Sequence, residues 1–306
     1  MKAIHLIGYG SQGKAWAESL RAAGWDVHVY LANPKGPSFK LAEEQGFHPI
    51  PLSELPKNLQ SRSLVAFLCP DLLIGSIYRD YLTKAPVPLT LVLAHGYAVY
   101  AGELKPAHPE HELALLAPKA IGPKLQNAMR EMRAMNHDHH SLVAAFHAPE
   151  DRKTELLALA KGLGFAEKNL APASFEQEAM GDLISEQGVL CGGVFTLMEW
   201  TFDAMAEAGV PDALIREECI TELELIIGLM REKGPATTFK AISQAAQCGA
   251  VSMRKKLNDA GVKKTFRGQL DEVVNKKFVQ TLRGEEWKKD AADLMRNLDR
   301  WEGRFK

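Results

Sequence analysis

Two pairs of carboxylates in the second half of the chain are spaced for chemistry. In "GDLISEQGVLCGGVF" Asp182 and Glu186 stand four residues apart, and in "REECITELELIIGLM" Glu218 and Glu222 repeat that spacing. On a helix each pair shares a face. At about 100° per residue the same sectors carry Val189, Leu190, Gly193 and Leu197 in the first stretch, and Ile215, Leu225, Ile226 and Leu229 in the second. Neither sector holds a Lys or Arg. Anions on apolar faces need a cation. Oxygen donors without Cys or His suit Mg2+ or Mn2+, with water and substrate oxygens completing the shell. The competing reading is two solvated helix faces; the repeated spacing, displaced from the polar stripe on both helices, favours a metal site.

A second chemical signal stands at the front. "IGYGSQG" runs from Ile7 to Gly13, after the mostly apolar run Ile4–Ile7 and before a helical pattern. Gly8-x-Gly10-x-x-Gly13 at such a junction permits a tight turn, a close backbone approach to a pyrophosphate, and helix packed on strand. Tyr9, Ser11 and Gln12 complete the loop, and the helix N-terminus offers N–H groups to the phosphates. A 2′-hydroxyl reader would be an acid at the end of the second strand. Here that strand runs into "YLANPKGPS", with no acid, and Lys35 and Ser38 are placed for a 2′-phosphate. NADP is the expected dinucleotide.

These residues require two kinds of scaffold. Apolar runs at Ala3–Ile7, Val27–Leu31, Leu64–Leu68, Leu89–Ala94, Leu113–Leu116 and Ser141–Phe146 read as strands buried on both faces, alternating with amphipathic stretches. The first two enclose a helical stretch, Ser11–Ala23, stopped by Gly24, which makes a β-α-β unit. Near "APASFEQEAM", Pro172 closes one element, and Ser174 with Gln177 forms a capping box for the next. Beyond it the pattern is helical. The expected architecture is α/β plus all-α, with a Rossmann-type doubly wound sheet over residues 1–172 and a helical domain over 173–306.

Composition narrows the partners. The 306 residues carry a formal net charge of −1, so nothing favours a nucleic-acid backbone or an anionic membrane. No apolar run approaches a membrane span. Cys69, Cys191, Cys219 and Cys248 are scattered and read as reduced thiols, and no signal-peptide pattern precedes the first strand. A cytoplasmic protein is expected.

Taken together, "GYGSQG", "AHGY", "LAPKAIGP", "DLISEQGVLCGGV", "ECITELELI" and "AISQAAQCG" resemble ketol-acid reductoisomerase (acetohydroxy acid isomeroreductase) in its shorter class, over essentially the whole chain. The resemblance implies an NADP-binding Rossmann domain and an entangled helical domain that dimerises, with two Mg2+ ions per site and sites shared between subunits. It implies alkyl migration in 2-acetolactate or 2-aceto-2-hydroxybutyrate, then NADPH reduction to a 2,3-dihydroxy acid in valine and isoleucine synthesis. Asp182, Glu186, Glu218 and Glu222 match the family's metal ligands, Glu222 also counting as catalytic. His95 and Lys119 match the polar residues beside nicotinamide. Ser243 matches the substrate-binding serine, with Cys191, Ile242 and Ala246 as accompanying substrate positions. The chemistry agrees: an acyloin rearrangement needs a hydroxyl deprotonated and a carbonyl polarised, which two divalent ions do.

The chain departs from the family pattern in places. Lys14 stands where His is usual, "PKAIGP" brings in Ile121, Gln247-Cys248 replaces Glu-Tyr, and the second-strand loop lacks an arginine. Two readings compete with the first: a metal-independent 3-hydroxy-acid dehydrogenase, and an NADP-binding sensor without catalysis. "NHDHH", with His137, His139 and His140, reads as a solvated loop, and "MRKK", with Arg254, Lys255 and Lys256, as a solvated helix face.

Overall fold

The computed structural model describes all residues except Met1, Lys84, Pro86, Ile121 and 135–141, together with the side chains of Pro123 and Arg133. The "NHDHH" histidines and Ile121 therefore lie outside the described residues. The chain divides into two compact units, residues 1–179 and 180–306.

The first unit is built on one sheet: β1 (Ala3–Ile7), β2 (Asp26–Leu31), β3 (Ile50–Pro51), β4 (Ser63–Phe67), β5 (Leu89–Leu93), β6 (Glu112–Pro118), β7 (Ala144–His147) and β8 (Leu170–Pro172). Its order is β3-β2-β1-β4-β5-β6-β7-β8. Neighbours run parallel except β6 and β7, which are antiparallel. The order reverses between β1 and β4, the place where open α/β sheets bind nucleotides. Its helices are α1 (Ser11–Ala22), α2 (Pro37–Glu44), α3 (Leu55–Asn58), α4 (Asp71–Ile77), α5 (Tyr97–Tyr100), α6 (Gly122–Ala134) and α7 (Lys153–Leu163).

Alternation along the strands sorts the core into two layers. Ile4, Leu6, Val29, Leu64, Ala66 and Val92 pack with α1, α6 and α7 around Trp16, while Ile7, Tyr30, Val65, Phe67, Leu91 and Leu93 pack with Leu55, Ile74 and Tyr78 on the other face. Register aligns Ile7 with Phe67, Phe67 with Leu93, and Leu93 with Leu115. The loops that follow these strands thus open at one edge.

All six expected strands are present, with ends shifted by a few residues; β7 starts at Ala144 where the sequence suggests Ser141, a residue outside those described. The short edge strands β3 and β8 add to that expectation. The chain next enters α8 (Phe175–Ser185), and the unit boundary falls within it, whereas the sequence suggests Pro172. The physical reason is that Phe175 packs against the apolar layers of the sheet, which ties the first turns of α8 to it.

The second unit holds the rest of α8 and then α9 (Gly192–Glu207), α10 (Asp212–Arg216), α11 (Glu222–Lys233) and α12 (Pro235–Ala241). These are followed by α13 (Gln244–Asp259), α14 (Val262–Val274), α15 (Lys277–Arg283) and α16 (Trp287–Phe305). Phe202, Ile215 and Trp301 form its buried cluster, joining α9, α10 and α16. Among the described residues no helix is long and apolar enough to cross a membrane.

Candidate active site

The glycine loop is shaped by close contacts. Gly8 sits at φ +111°, and a Cβ there would lie 2.5 Å from the Leu68 carbonyl oxygen; a Cβ at Gly13 would strike the Gly8 carbonyl. Gly10 has open space where a Cβ would stand. It is the N-cap of α1 and supplies no side-chain cap, so the first-turn N–H groups of Ser11, Gln12 and Gly13 are left to an external acceptor. Gln12 Oε1 is buried without a hydrogen-bond partner among the described residues. The approach of Gly122, at the start of α6, to the Ser11 side chain brings the end of β6 beside this loop. An uncapped helix N-terminus and open space over Gly10 fit a dinucleotide pyrophosphate. Tyr9 is buried, and its hydroxyl donates to Gln45 Oε1 at 2.7 Å, so it buttresses the loop. Lys35 is exposed just before α2, and Ser38 lies in that helix's first turn.

Three neighbouring strands deliver polar residues to the same edge: Asp71 after β4, His95 after β5 and Lys119 after β6. His95 and Lys119 meet at Glu178. Lys119 Nζ donates to Glu178 Oε1 at 2.5 Å, and the Gly96 N–H donates to Oε2 at 2.5 Å. His95 Nε2 lies 3.8 Å from Oε2. Glu178 is only 4% exposed, and its carboxylate is sustained by these donors. Cys69 stands nearby in sequence, but burial pushes its thiol up to about 12, which rules it out as a thiolate at neutral pH.

Glu178 is the residue that sequence reasoning misses. Its signal is present: Glu178, Asp182 and Glu186 continue one i, i+4 series. The capping box hides it. Ser174 N donates to Gln177 Oε1 and Gln177 N to Ser174 Oγ, as the pattern suggests, and Glu178 beside them reads as one more acid in a helix's first turns.

In the helical unit the carboxylate pairs sit at irregular turns. A π-helical turn spans Glu186–Leu190 and another Glu217–Thr221, so Glu186 opens the first, Glu218 lies in the second and Glu222 directly follows it. Such turns concentrate at functional sites. A Cβ at Gly192 would lie 2.1 Å from the Gln187 carbonyl oxygen, and one at Gly193 would strike that of Gly188. Glycine at both positions is thus what lets the first π turn form.

The expectation of carboxylates buried on regular apolar faces needs correction. Glu186, Glu218 and Glu222 are exposed and Asp182 is half-buried. The extra residue in each π turn rotates the following side chains away from a 100° helix. The apolar companions are real but open to solvent: Val189, Leu190, Leu197 and Leu225 are all exposed. Among the described residues Glu186, Glu218 and Glu222 join no cluster of three metal-ligating side chains within one chain. Glu218 and Glu222 line a cavity of about 370 Å3 between α9 and α11. Glu186 and Cys191 line another of about 550 Å3 against α14. Neither Glu218 nor Glu222 has a hydrogen-bond or ion-pair partner among the described residues, and their all-oxygen chemistry fits a hard divalent cation. Ser243 is the N-cap of α13, accepting from Ala246 N at 3.2 Å and keeping its own O–H to donate. Gln247 donates to the Ile242 carbonyl, which closes the α12–α13 turn on which Ser243 stands. Arg254, Lys255 and Lys256 are exposed, as expected, with Lys255 paired to Asp259.

Comparison with known proteins bears on both units. The model of the acetohydroxy acid isomeroreductase NADPH-binding domain matches residues 1–168, and that of the ketol-acid reductoisomerase C-terminal domain matches residues 175–303. The chain is 33% identical over 285 residues to a ketol-acid reductoisomerase (NADP(+)) of Sulfolobus acidocaldarius, covering 91% of this chain and 82% of that one. A relative of the same description in Sulfurisphaera tokodaii is 33% identical over 302 residues, covering 97% and 87%. The solved structure of an NADH-preferring ketol-acid reductoisomerase from an uncultured archean superposes with TM-score 0.81 at 26% identity, covering 98% of this chain and 89% of that chain.

Proposed function

This chain belongs to the ketol-acid reductoisomerase family, and from that premise we propose how its residues share the reaction. It is an NADP-dependent oxidoreductase and isomerase. An alkyl group migrates between adjacent carbons of 2-acetolactate or 2-aceto-2-hydroxybutyrate, and the resulting 2-keto acid is reduced to the 2,3-dihydroxy acid of branched-chain amino-acid synthesis.

Asp182, Glu186, Glu218 and Glu222 would hold two Mg2+ ions. When bound, these supply Lewis acidity that eases deprotonation of the substrate hydroxyl and polarises the neighbouring carbonyl. Gly8 to Gly13 cradle the pyrophosphate of NADP(H), Lys35 and Ser38 bind its 2′-phosphate, and the nicotinamide supplies hydride. Lys119 carries a proton-bearing ammonium whose place is fixed by Glu178. His95 stands at the neighbouring strand end, within reach of the same carboxylate. Ser243 offers its O–H to the substrate carboxylate, with Cys191, Ile242 and Ala246 around the alkyl group. The observation that carries this reading is the meeting of Lys119, the Gly96 N–H and His95 at buried Glu178.

The enzyme works as a homodimer whose sites draw on both subunits. Support comes from the helical unit, where Trp200 and Leu225 are 62% and 67% exposed and Glu186 opens onto a different cavity from Glu218 and Glu222 within one chain. Its compartment is the cytoplasm, in keeping with four unpaired cysteines.

The test is NADPH oxidation by the purified protein with 2-acetolactate, with and without Mg2+. Turnover that requires Mg2+ and yields a 2,3-dihydroxy acid is the expected outcome. Metal-independent turnover of a 3-hydroxy acid would move the chain to the dehydrogenase reading, and NADPH binding with no turnover to the sensor reading.

A further inference from the structure

The structure assigns Gln45 a positioning role in coenzyme selection. It ties the far end of α2 to the glycine loop, and so sets the residues that read the 2′-phosphate against those that cradle the pyrophosphate. The inference rests on the reading of Lys35 and Ser38 given above. Both stand at the front of α2, in a turn where Lys35 N donates to Asn33 Oδ1 and Gly36 N to the Asn33 carbonyl, each at 3.0 Å. Gly36 carries this turn into the helix as its N-cap. The eight residues of α2 span about 12 Å, so a tilt at one end displaces the other. Among the described residues of α2 only Ala42 is buried, with Phe39 and Leu41 half-buried beside it. A helix this short does not hold itself in place, and so small a buried face gives it little purchase on the sheet.

The hold comes from its other end. Gln45 is the C-cap of α2, and its Oε1 accepts the hydroxyl of Tyr9, inside the glycine loop, at 2.7 Å. Burial pushes that hydroxyl up to about 12, so it keeps the proton it donates. Arg21, in the last turn of α1, donates from Nη1 to the Gln45 and Gly46 carbonyls at 3.0 and 3.1 Å. Its guanidinium lies over the Phe47 ring, 3.8 Å from the centroid, and Phe47 in turn meets Tyr9 edge to face at 5.7 Å. Arg21 thus anchors the backbone after α2 to α1, and the Gln45 side chain carries that anchorage on to the loop. Without the Gln45 bond the Arg21 anchor still holds the turn, but α2 is freer to shift against the glycine loop. NADPH feels that shift because it must reach both places at once. NADH lacks the 2′-phosphate and makes no such demand on Lys35 or Ser38.

The test is calorimetric titration of the full-length protein with NADPH and with NADH. In Q45L the Kd for NADPH is expected to rise about five- to tenfold, the scale of one hydrogen bond, and that for NADH to stay within about twofold. Q45E keeps an acceptor oxygen for Tyr9 and should bring NADPH affinity back to within about twofold of the parent. Y9F breaks the same tie from the other side while keeping its ring against Phe47, and should weaken NADPH more than NADH. Because both changes remove one bond, Y9F/Q45L should bind NADPH within about twofold of Y9F alone. In K35A/S38A, where the 2′-phosphate goes unread, adding Q45L should likewise cost about twofold at most. Equal losses for both coenzymes in Q45L and Y9F overturn the proposal, since a brace that only supports the fold weakens them alike. So does undiminished NADPH affinity in Q45L when K35A/S38A is weakened. If K35A/S38A itself binds NADPH as the parent does, the reading of those two residues fails, and the inference with it.

Discussion

In residues 1–179 the large side chains are consumed by the fold: Trp16, Tyr30, Tyr78, Tyr97, Phe67 and Phe165 are fully buried. In residues 180–306 Phe202, Ile215 and Trp301 make one small cluster, while Val189, Leu190, Trp200, Leu225 and Val251 stand in water. Burial of each such side chain is worth about 1.5–3 kcal/mol, and so many exposed on one unit support the proposed homodimer. The two units are finished in different ways. The sheet unit carries a complete nucleotide loop inside a closed core. The helical unit carries the acidic residues beside apolar side chains that are open to solvent, the surface that the proposed homodimer would cover.

The largest effect should come from breaking that surface. Trp200→Glu combined with Leu225→Glu is expected to give a monomer by light scattering. Turnover should fall by at least about 100-fold, since the desolvated contacts that carry such interfaces would be lost, while NADPH binding persists. A fully active monomer would erase the contrast between the units.

A break in the sheet unit should leave assembly alone. In Gly8→Ala the new Cβ meets the Leu68 carbonyl at a backbone conformation disfavoured for alanine. Strain of about 1–3 kcal/mol is expected to weaken NADPH binding about 10- to 100-fold by calorimetry, with the oligomeric state unchanged.

The closed core of the sheet unit also has a pH signature. Burial pushes His5 down to about 4 from its ordinary 6.5, with neighbouring His28 adding to the shift. The folded state keeps His5 neutral while the unfolded chain takes up a proton below pH 6.5. Stability is therefore complete above that pH and is lost as pH falls toward 4, by about 2 kcal/mol at pH 5. Urea midpoints at pH 7 and pH 5 should show this drop, and His5→Gln should shrink it.

The smallest effect sharpens the nucleotide end. Lys35→Ala is expected to raise the KM for NADPH about tenfold, the scale of one exposed charge-assisted bond, and to leave that for NADH unchanged. Equal changes for both coenzymes would remove Lys35 from recognition of the 2′-phosphate.

The two units also differ in how far they can be read from residues alone. Continuous apolar runs and the Gly8-Gly10-Gly13 spacing make the parallel sheet and its nucleotide edge legible, because buried parallel strands and a pyrophosphate turn each impose their own pattern. The edge strands β3 and β8 are two and three residues long and carry no period. Asp71 in "CPDLL" looks like any acid at a helix start; only the pairing of β4 with β5 brings it to His95. In the helical unit the i, i+4 carboxylates are legible, but their facing is not, because a hydrophobic period assumes regular turns. Gly192-Gly193 is the trace of the π turn in the sequence, and it becomes readable once the Gln187 carbonyl is seen against it.

Nucleotide binding is assigned to the sheet unit and rearrangement to the acidic helices. Glu222→Gln tests this assignment most directly when one preparation is titrated with NADPH and assayed with 2-acetolactate and Mg2+. NADPH affinity within about twofold of the parent and turnover reduced at least about 100-fold, beyond the upper end for an outer-sphere partner, are expected. Undiminished turnover of acetolactate in that variant would contradict it.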